Sequence, residues 1–172
     1  MNVKNNKRRR ESQIKIEKAF VELLQTKEIR EISVSEIIKM SDLNRSTFYA
    51  NYIDVFDLAD KVREHLVEEF NEYFADPADY SDHNGALRMF KHIKDNQLFY
   101  KTYFKLCYDE KHLISVCDPK RAAIEQVDSN LKYHIEFFRN GLNAIIKLWL
   151  NGGCKESPEE MAEVLKQEYR GR

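Results

Sequence analysis

Five glycines and three prolines in 172 residues leave the chain without the turn punctuation that an all-β architecture needs. Cysteine is equally scarce. Cys107, Cys117 and Cys154 are odd in number and widely spaced, which suits neither a disulfide framework nor a paired-cysteine metal knuckle, so a reducing cytoplasm is the expected compartment. Long apolar runs are missing too: the most apolar window, Leu142 to Leu150, is broken by Lys147 and falls far short of the ~20 residues of a membrane span. The N-terminal residues are positively charged but lead into mixed charged and apolar sequence, not a signal-peptide core. Neither sign of charge is in excess, the formal net charge being −1.

Also absent are the glycine-rich phosphate loops and the nucleophile-elbow sequence of hydrolases. His65, His83, His92, His112 and His134 show no zinc-ligand spacing. No catalytic residue, metal or cofactor is therefore assigned, and an enzyme has no support.

What is present is helical periodicity and uneven charge. Residues 1–50 carry a net +4 and residues 51–172 a net −5, a basic head on an acidic body. From Ser12 to Leu24, Ile16, Ala19, Phe20, Leu23 and Leu24 recur at helical spacing. Ser33 and Glu36 form a capping-box pattern opening a second helix, roughly Val34 to Met40. Ser41, Asp42 and Leu43 make a tight turn, and Asn44, a favoured N-cap, opens a third helix through about Asn51. Asp54 and Asp57 start a long helix with Phe56, Leu58, Val62, Leu66, Val67, Phe70 and Phe74 as its apolar residues. Further helical patterns lie at about Asn84–Lys94, Gln97–Cys107, Pro119–Asn130 and Leu131–Leu150. Ser157, Pro158 and Glu160 set the last one.

Two short helices joined by a three-residue turn are the form in which a second helix enters the DNA major groove. In the segment Asn44 to Tyr52, Phe48 and Tyr52 are four apart and turn inward over Ile37 and Leu43, leaving Arg45, Ser46, Thr47, Tyr49 and Asn51 outward. Arg45 suits bidentate donation to guanine, Ser46 or Thr47 a base or phosphate oxygen, and Tyr49 and Asn51 phosphate. The basic run Lys7, Arg8, Arg9, Arg10, read as an arm ahead of the first helix, suits backbone phosphates or an adjacent minor groove.

Residues 8–58 resemble the DNA-binding domain of TetR/AcrR-family transcriptional regulators. The matching pattern is Ala19, Phe20, Leu23 and Leu24, then Ile32 to Ile37, then Ser46 to Tyr49 with Tyr52, Asp54, Asp57 and Leu58. The tail is similar to one branch of that family through Gly141, Leu142, Trp149 and Glu156 to Met161. The resemblance implies an all-α homodimer, with a helix-turn-helix domain over residues 1–54 and a helical dimerisation and effector domain over 55–172. It also implies a repressor of a double-stranded DNA operator, relieved by a small-molecule or protein effector.

Phe137, Gly141, Ala144 and Leu148 share one face of the penultimate helix, and Met161, Val164 and Leu165 offer a matching face on the last; these are the expected dimer interface. Phe90, Tyr100, Tyr103, Phe104 and Phe138 are candidates to line an apolar effector cavity, with ordinary core packing as the alternative. Cys107 and Cys117 are either a thiol sensor pair or idle. Two departures from the family pattern keep a second function class open. Where relatives carry His and Lys to grip phosphates, this chain has Asn51 and Val55, which leaves a co-regulator acting through protein contact as the alternative to direct DNA binding.

Overall fold

A computed structural model describes residues 3–73, 85–106 and 131–169. Among them it contains eight α-helices, one 3-10 turn and no strand: α1 (Val3–Leu24), the 3-10 turn (Ile29–Glu31), α2 (Val34–Ser41), α3 (Arg45–Tyr49), α4 (Val55–Tyr73), α5 (Gly85–Asp95), α6 (Gln97–Leu106), α7 (Leu131–Asn151) and α8 (Pro158–Tyr169). The all-α class expected from composition is the class observed. The helix expected at Pro119–Asn130, together with Cys107 and Cys117, lies outside the described residues.

The chain forms two compact units, Met1–Glu68 and Glu69–Arg172. The division read from sequence, at 54/55, coincides with the N-terminus of α4. The units divide later, within that helix: its buried residues Val55, Leu58, Ala59, Val62 and Leu66 fall in the first unit and its buried Phe70 in the second.

In the first unit α1 packs on α2 and α2 on α3. α1 begins well before Ser12. The Ser12 hydroxyl donates back to the Arg8 carbonyl at 3.0 Å, as a residue inside a helix does, and Lys and Arg are good helix formers, so the basic run continues the helix instead of trailing as an arm. Ile16, Ala19, Phe20 and Leu24 form its buried stripe.

Ser33 and Glu36 make the expected capping box: the Glu36 amide donates to Ser33 Oγ at 3.3 Å and the Ser33 amide to Glu36 Oε2 at 3.0 Å. The Lys27 ammonium donates to the other carboxylate oxygen of Glu36, tying the end of α1 to the start of α2. These contacts hold the Glu36 carboxyl at about 2, the Lys27 hydrogen bond contributing most and the Ser33 hydroxyl next. Asp42 closes α2 in the left-handed conformation, φ 53° and ψ 45°, as expected for the turn. A short polar side chain tolerates that region better than most.

α4 follows its sequence reading except at Phe56. Its N-terminus is set by Asp54, whose carboxylate accepts from the Asp57 amide at 2.8 Å, and by Asp57, which accepts from the Ile53 amide at 2.8 Å. Val55, Leu58, Ala59, Val62 and Leu66 then turn inward. Phe56 follows Val55 by about 100° of helix rotation and is exposed, not part of the core.

The second unit is built on one apolar cluster. Phe70, Met89, Phe90, Ile93, Tyr100, Leu142, Ile146, Trp149, Leu150, Cys154, Met161 and Leu165 are buried together, with Phe99, Phe104 and Phe138 packed against them. α8 lies on α5, and α6 lies on both α5 and α7. Gly153 (φ 80°) and Cys154 (φ 52°) reverse the chain between α7 and α8, where the Trp149 indole donates to the Glu156 carbonyl at 3.3 Å. Ser157 and Glu160 form the expected capping box at the start of α8.

Candidate nucleic-acid interface

The presented helix, α3, is only five residues long, so its shape depends on what holds its two ends. Asn44 holds the first. Its side-chain oxygen accepts from the Thr47 amide at 2.8 Å and from both the Ser46 and Thr47 hydroxyls at 2.7 Å. The hydroxyls expected to reach DNA are thus oriented by the cap and keep their oxygens as acceptors. The underside is held by Phe48, fully buried, and Tyr52, nearly so, with ring centroids 5.8 Å apart.

Arg45, Ser46 and Tyr49 are exposed, Tyr49 to 50%. The Arg45 guanidinium lies 5.7 Å from the Tyr49 ring centroid and donates to its hydroxyl at 3.3 Å. Stacking of this kind orders the fork that a guanine edge requires.

α3 ends at Tyr49, so Asn51 stands beyond the helix and not on its outer face. Its side-chain amide is engaged within the protein. The Asn51 Nδ2 group donates to the Thr47 carbonyl at 2.8 Å, and its Oδ1 accepts from Arg9 Nε at 3.1 Å. Both ends of the amide are engaged within the protein, and Arg9 is brought to the C-terminal end of α3. Arg8 and Arg10 are exposed on the same turns of α1. No local sequence signal marks this link, because Arg9 lies on α1 and Asn51 follows α3.

Val55, at the second departing position, is buried. Beside it the apolar Ile53, at 78%, and Phe56, at 56%, are exposed together with Asp54.

Behind α3, the Tyr52 hydroxyl donates to Glu17 Oε1 at 2.8 Å, and the other Glu17 oxygen lies 3.5 Å from His65 Nδ1. Burial, then the Glu17 contact, raises the Tyr52 phenol far above its ordinary range, so it stays a neutral donor.

In the second unit Phe137, Gly141, Ala144 and Leu148 are exposed along α7, Phe137 to 67% and Leu148 to 76%. The matching face on α8 is smaller than expected. Met161 and Leu165 are taken up by the unit's own core, each only 7% exposed, because α8 packs that side on α5; Val164 alone of the three is exposed. Phe90, Tyr100 and Tyr103 are fully buried and Phe104 and Phe138 half-buried. Tyr100 shares a hydrogen bond of 2.7 Å with His92 Nδ1, and burial of that imidazole lowers its pKa. Among the described residues no group of three or more His, Cys, Asp or Glu could hold a metal ion, and no helix is long and apolar enough to cross a membrane.

A capped left-handed turn that seats a short exposed helix on two others defines the helix-turn-helix class of regulator. The family described as "Transcriptional regulator C-terminal region", of the TetR type, matches residues 82–170, a little over half of the chain. The chain belongs to the TetR family of transcriptional regulators. It is also similar to the HTH-type dhaKLM operon transcriptional activator DhaS of Lactococcus lactis subsp. lactis (strain IL1403), with 29% identity over 102 residues, 59% of this chain and 53% of that protein. The match thus spans about half the length of that curated relative. A solved structure of a dihydroxyacetone kinase operon activator DhaS shares the fold, with a TM-score of 0.54 at 22% identity over 91% of this chain and 92% of that one.

Proposed function

We propose that this protein is a homodimeric, sequence-specific DNA-binding transcriptional regulator. The observation that carries this reading is the construction of α3: Asn44 caps it, Phe48 and Tyr52 seat it, and Arg45 and Tyr49 stand stacked and exposed on its outer side. Arg45, with Ser46 and Thr47, reads base edges, and Arg8, Arg9 and Arg10 meet backbone phosphates. A dimer formed through the exposed α7 face of Phe137, Gly141, Ala144 and Leu148 presents two heads to half-sites about 34–36 Å apart. An effector, either a small molecule among the aromatics of the second unit or a partner protein, changes that spacing.

Repression is the output implied by the family resemblance. Activation is the alternative, favoured by the name of the relative, an operon activator. A co-regulator acting by protein contact is the reading from a different class, favoured by the inward Val55 and the exposed Ile53 and Phe56.

Fluorescence-anisotropy titration against DNA from upstream of the gene and a scrambled duplex, at several salt concentrations, tests the reading. Saturable preference for the upstream fragment supports it. Equal or absent binding to both favours the co-regulator. A promoter-reporter assay gives the sign of the output.

A further inference from the structure

We propose that Asn51 is a positioning residue that fixes Arg9 as a backbone-phosphate contact in register with α3, so that the first turns of α1 and the presented helix grip DNA as one piece. The inference rests on the DNA-binding reading and assigns how its phosphate grip is made.

Two observations support it. Asn51 is engaged at both ends of its amide, by the Thr47 carbonyl at 2.8 Å and the Arg9 Nε–H at 3.1 Å, so one N–H anchors the side chain to α3 while its oxygen aims a cation. The basic run is helical, so Arg9 projects from a rigid rod whose direction is set where α1 packs on α2. A guanidinium that gives its Nε–H to an amide still has its Nη edge, the edge that donates in parallel to two phosphate oxygens. Phosphates flank the groove that a presented helix enters, and Arg9 is held beside the end of α3, where such a phosphate lies.

The test is a double-mutant cycle in the full chain: wild type, Arg9→Ala, Asn51→Ala and the double variant, with Arg9→Lys as a fifth protein. Each is titrated by anisotropy against the upstream and scrambled duplexes over a range of salt. A phosphate contact is blind to sequence, so both duplexes report on it. Arg9→Ala weakens binding to both by about 3- to 10-fold and lowers the salt slope by about one unit. Asn51→Ala weakens both duplexes alike in the wild-type background and has no further effect once Arg9 is gone. Arg9→Lys keeps the charge but loses the Nε donor, and it behaves like Asn51→Ala. Far-UV circular dichroism and melting of each variant confirm that the fold is kept.

Equal effects of Asn51→Ala with and without Arg9, or no effect at all, overturn the positioning role while leaving DNA binding intact. Failure of the wild-type protein to bind either duplex at low salt overturns the DNA-binding reading, and this inference with it.

Discussion

The Tyr52 hydroxyl donates to the Glu17 carboxylate at 2.8 Å, joining the residue that seats α3 to the middle of α1. A part-buried hydrogen bond to a charged acceptor contributes about 1.5–3 kcal/mol. Tyr52→Phe keeps the ring packing against Phe48 and removes only that bond. It is expected to lower the unfolding free energy of the first unit, read from urea titration, by an amount in this range and to weaken DNA binding with it. Unchanged stability would show that Glu17 is held by its other neighbour, His65, alone.

Arg45 is the residue proposed to read a base. Arg45→Ala is expected to cost ~1–3 kcal/mol on the preferred duplex and little on a scrambled one, flattening the preference between them. Replacing Arg8 and Arg10 with alanine weakens both duplexes alike. Competition titrations at fixed salt separate the two behaviours.

The Glu36 carboxyl titrates at about 2 in the folded protein, against 4.5 for the ordinary group. A depressed carboxyl stabilises the fold above the unfolded value, and that contribution is lost as pH falls from 4.5 toward 2. Wild type is therefore expected to melt higher than Glu36→Gln near neutral pH, with the two melting curves converging in acid. The carboxyl is at the surface, so salt narrows the gap as well. A gap that is constant with pH would place the effect in the neutral half of the capping box.

His92 carries the opposite kind of charge change. Burial lowers its pKa below the ordinary 6.5, chiefly by desolvation, so the unfolded chain takes up the proton first as pH drops. Stability of the second unit is full above 6.5 and falls below it until the folded imidazole also protonates. Trp149, the single tryptophan, lies in that unit's core and reports its unfolding. Denaturant midpoints followed by its fluorescence are expected to fall between about pH 7 and pH 5 in wild type and less in His92→Gln.

Two leucines of the second unit separate surface from core. Leu148→Glu places a charge on the exposed α7 face and is expected to yield a folded monomer by light scattering, with Trp149 emission unchanged. Leu165→Ala opens a cavity under α8 and is expected to cost about 2–5 kcal/mol of stability with little effect on assembly. A dimer that survives Leu148→Glu would move the interface away from α7.

The amino-acid sequence by itself determined the features whose physics is local. Ser33 with Glu36, Asn44 with Thr47 and Ser157 with Glu160 are contacts three residues apart, and each fixes a helix start where the pattern placed it. The inward turn of Phe48 and Tyr52 is local in the same sense, since residues four apart share a helix face.

Tertiary structure decided what depends on a partner element. Met161, Val164 and Leu165 are all apolar and one helical stripe cannot say which neighbour each meets; packing of α8 on α5 consumes Met161 and Leu165 and leaves Val164 exposed. Val55 and Phe56 compete for the same inward direction, and the phase of α4 admits only Val55. The bond from Arg9 to Asn51 joins residues 42 apart, beyond the reach of any periodicity, and it exists because α1 and α3 are folded against the same α2.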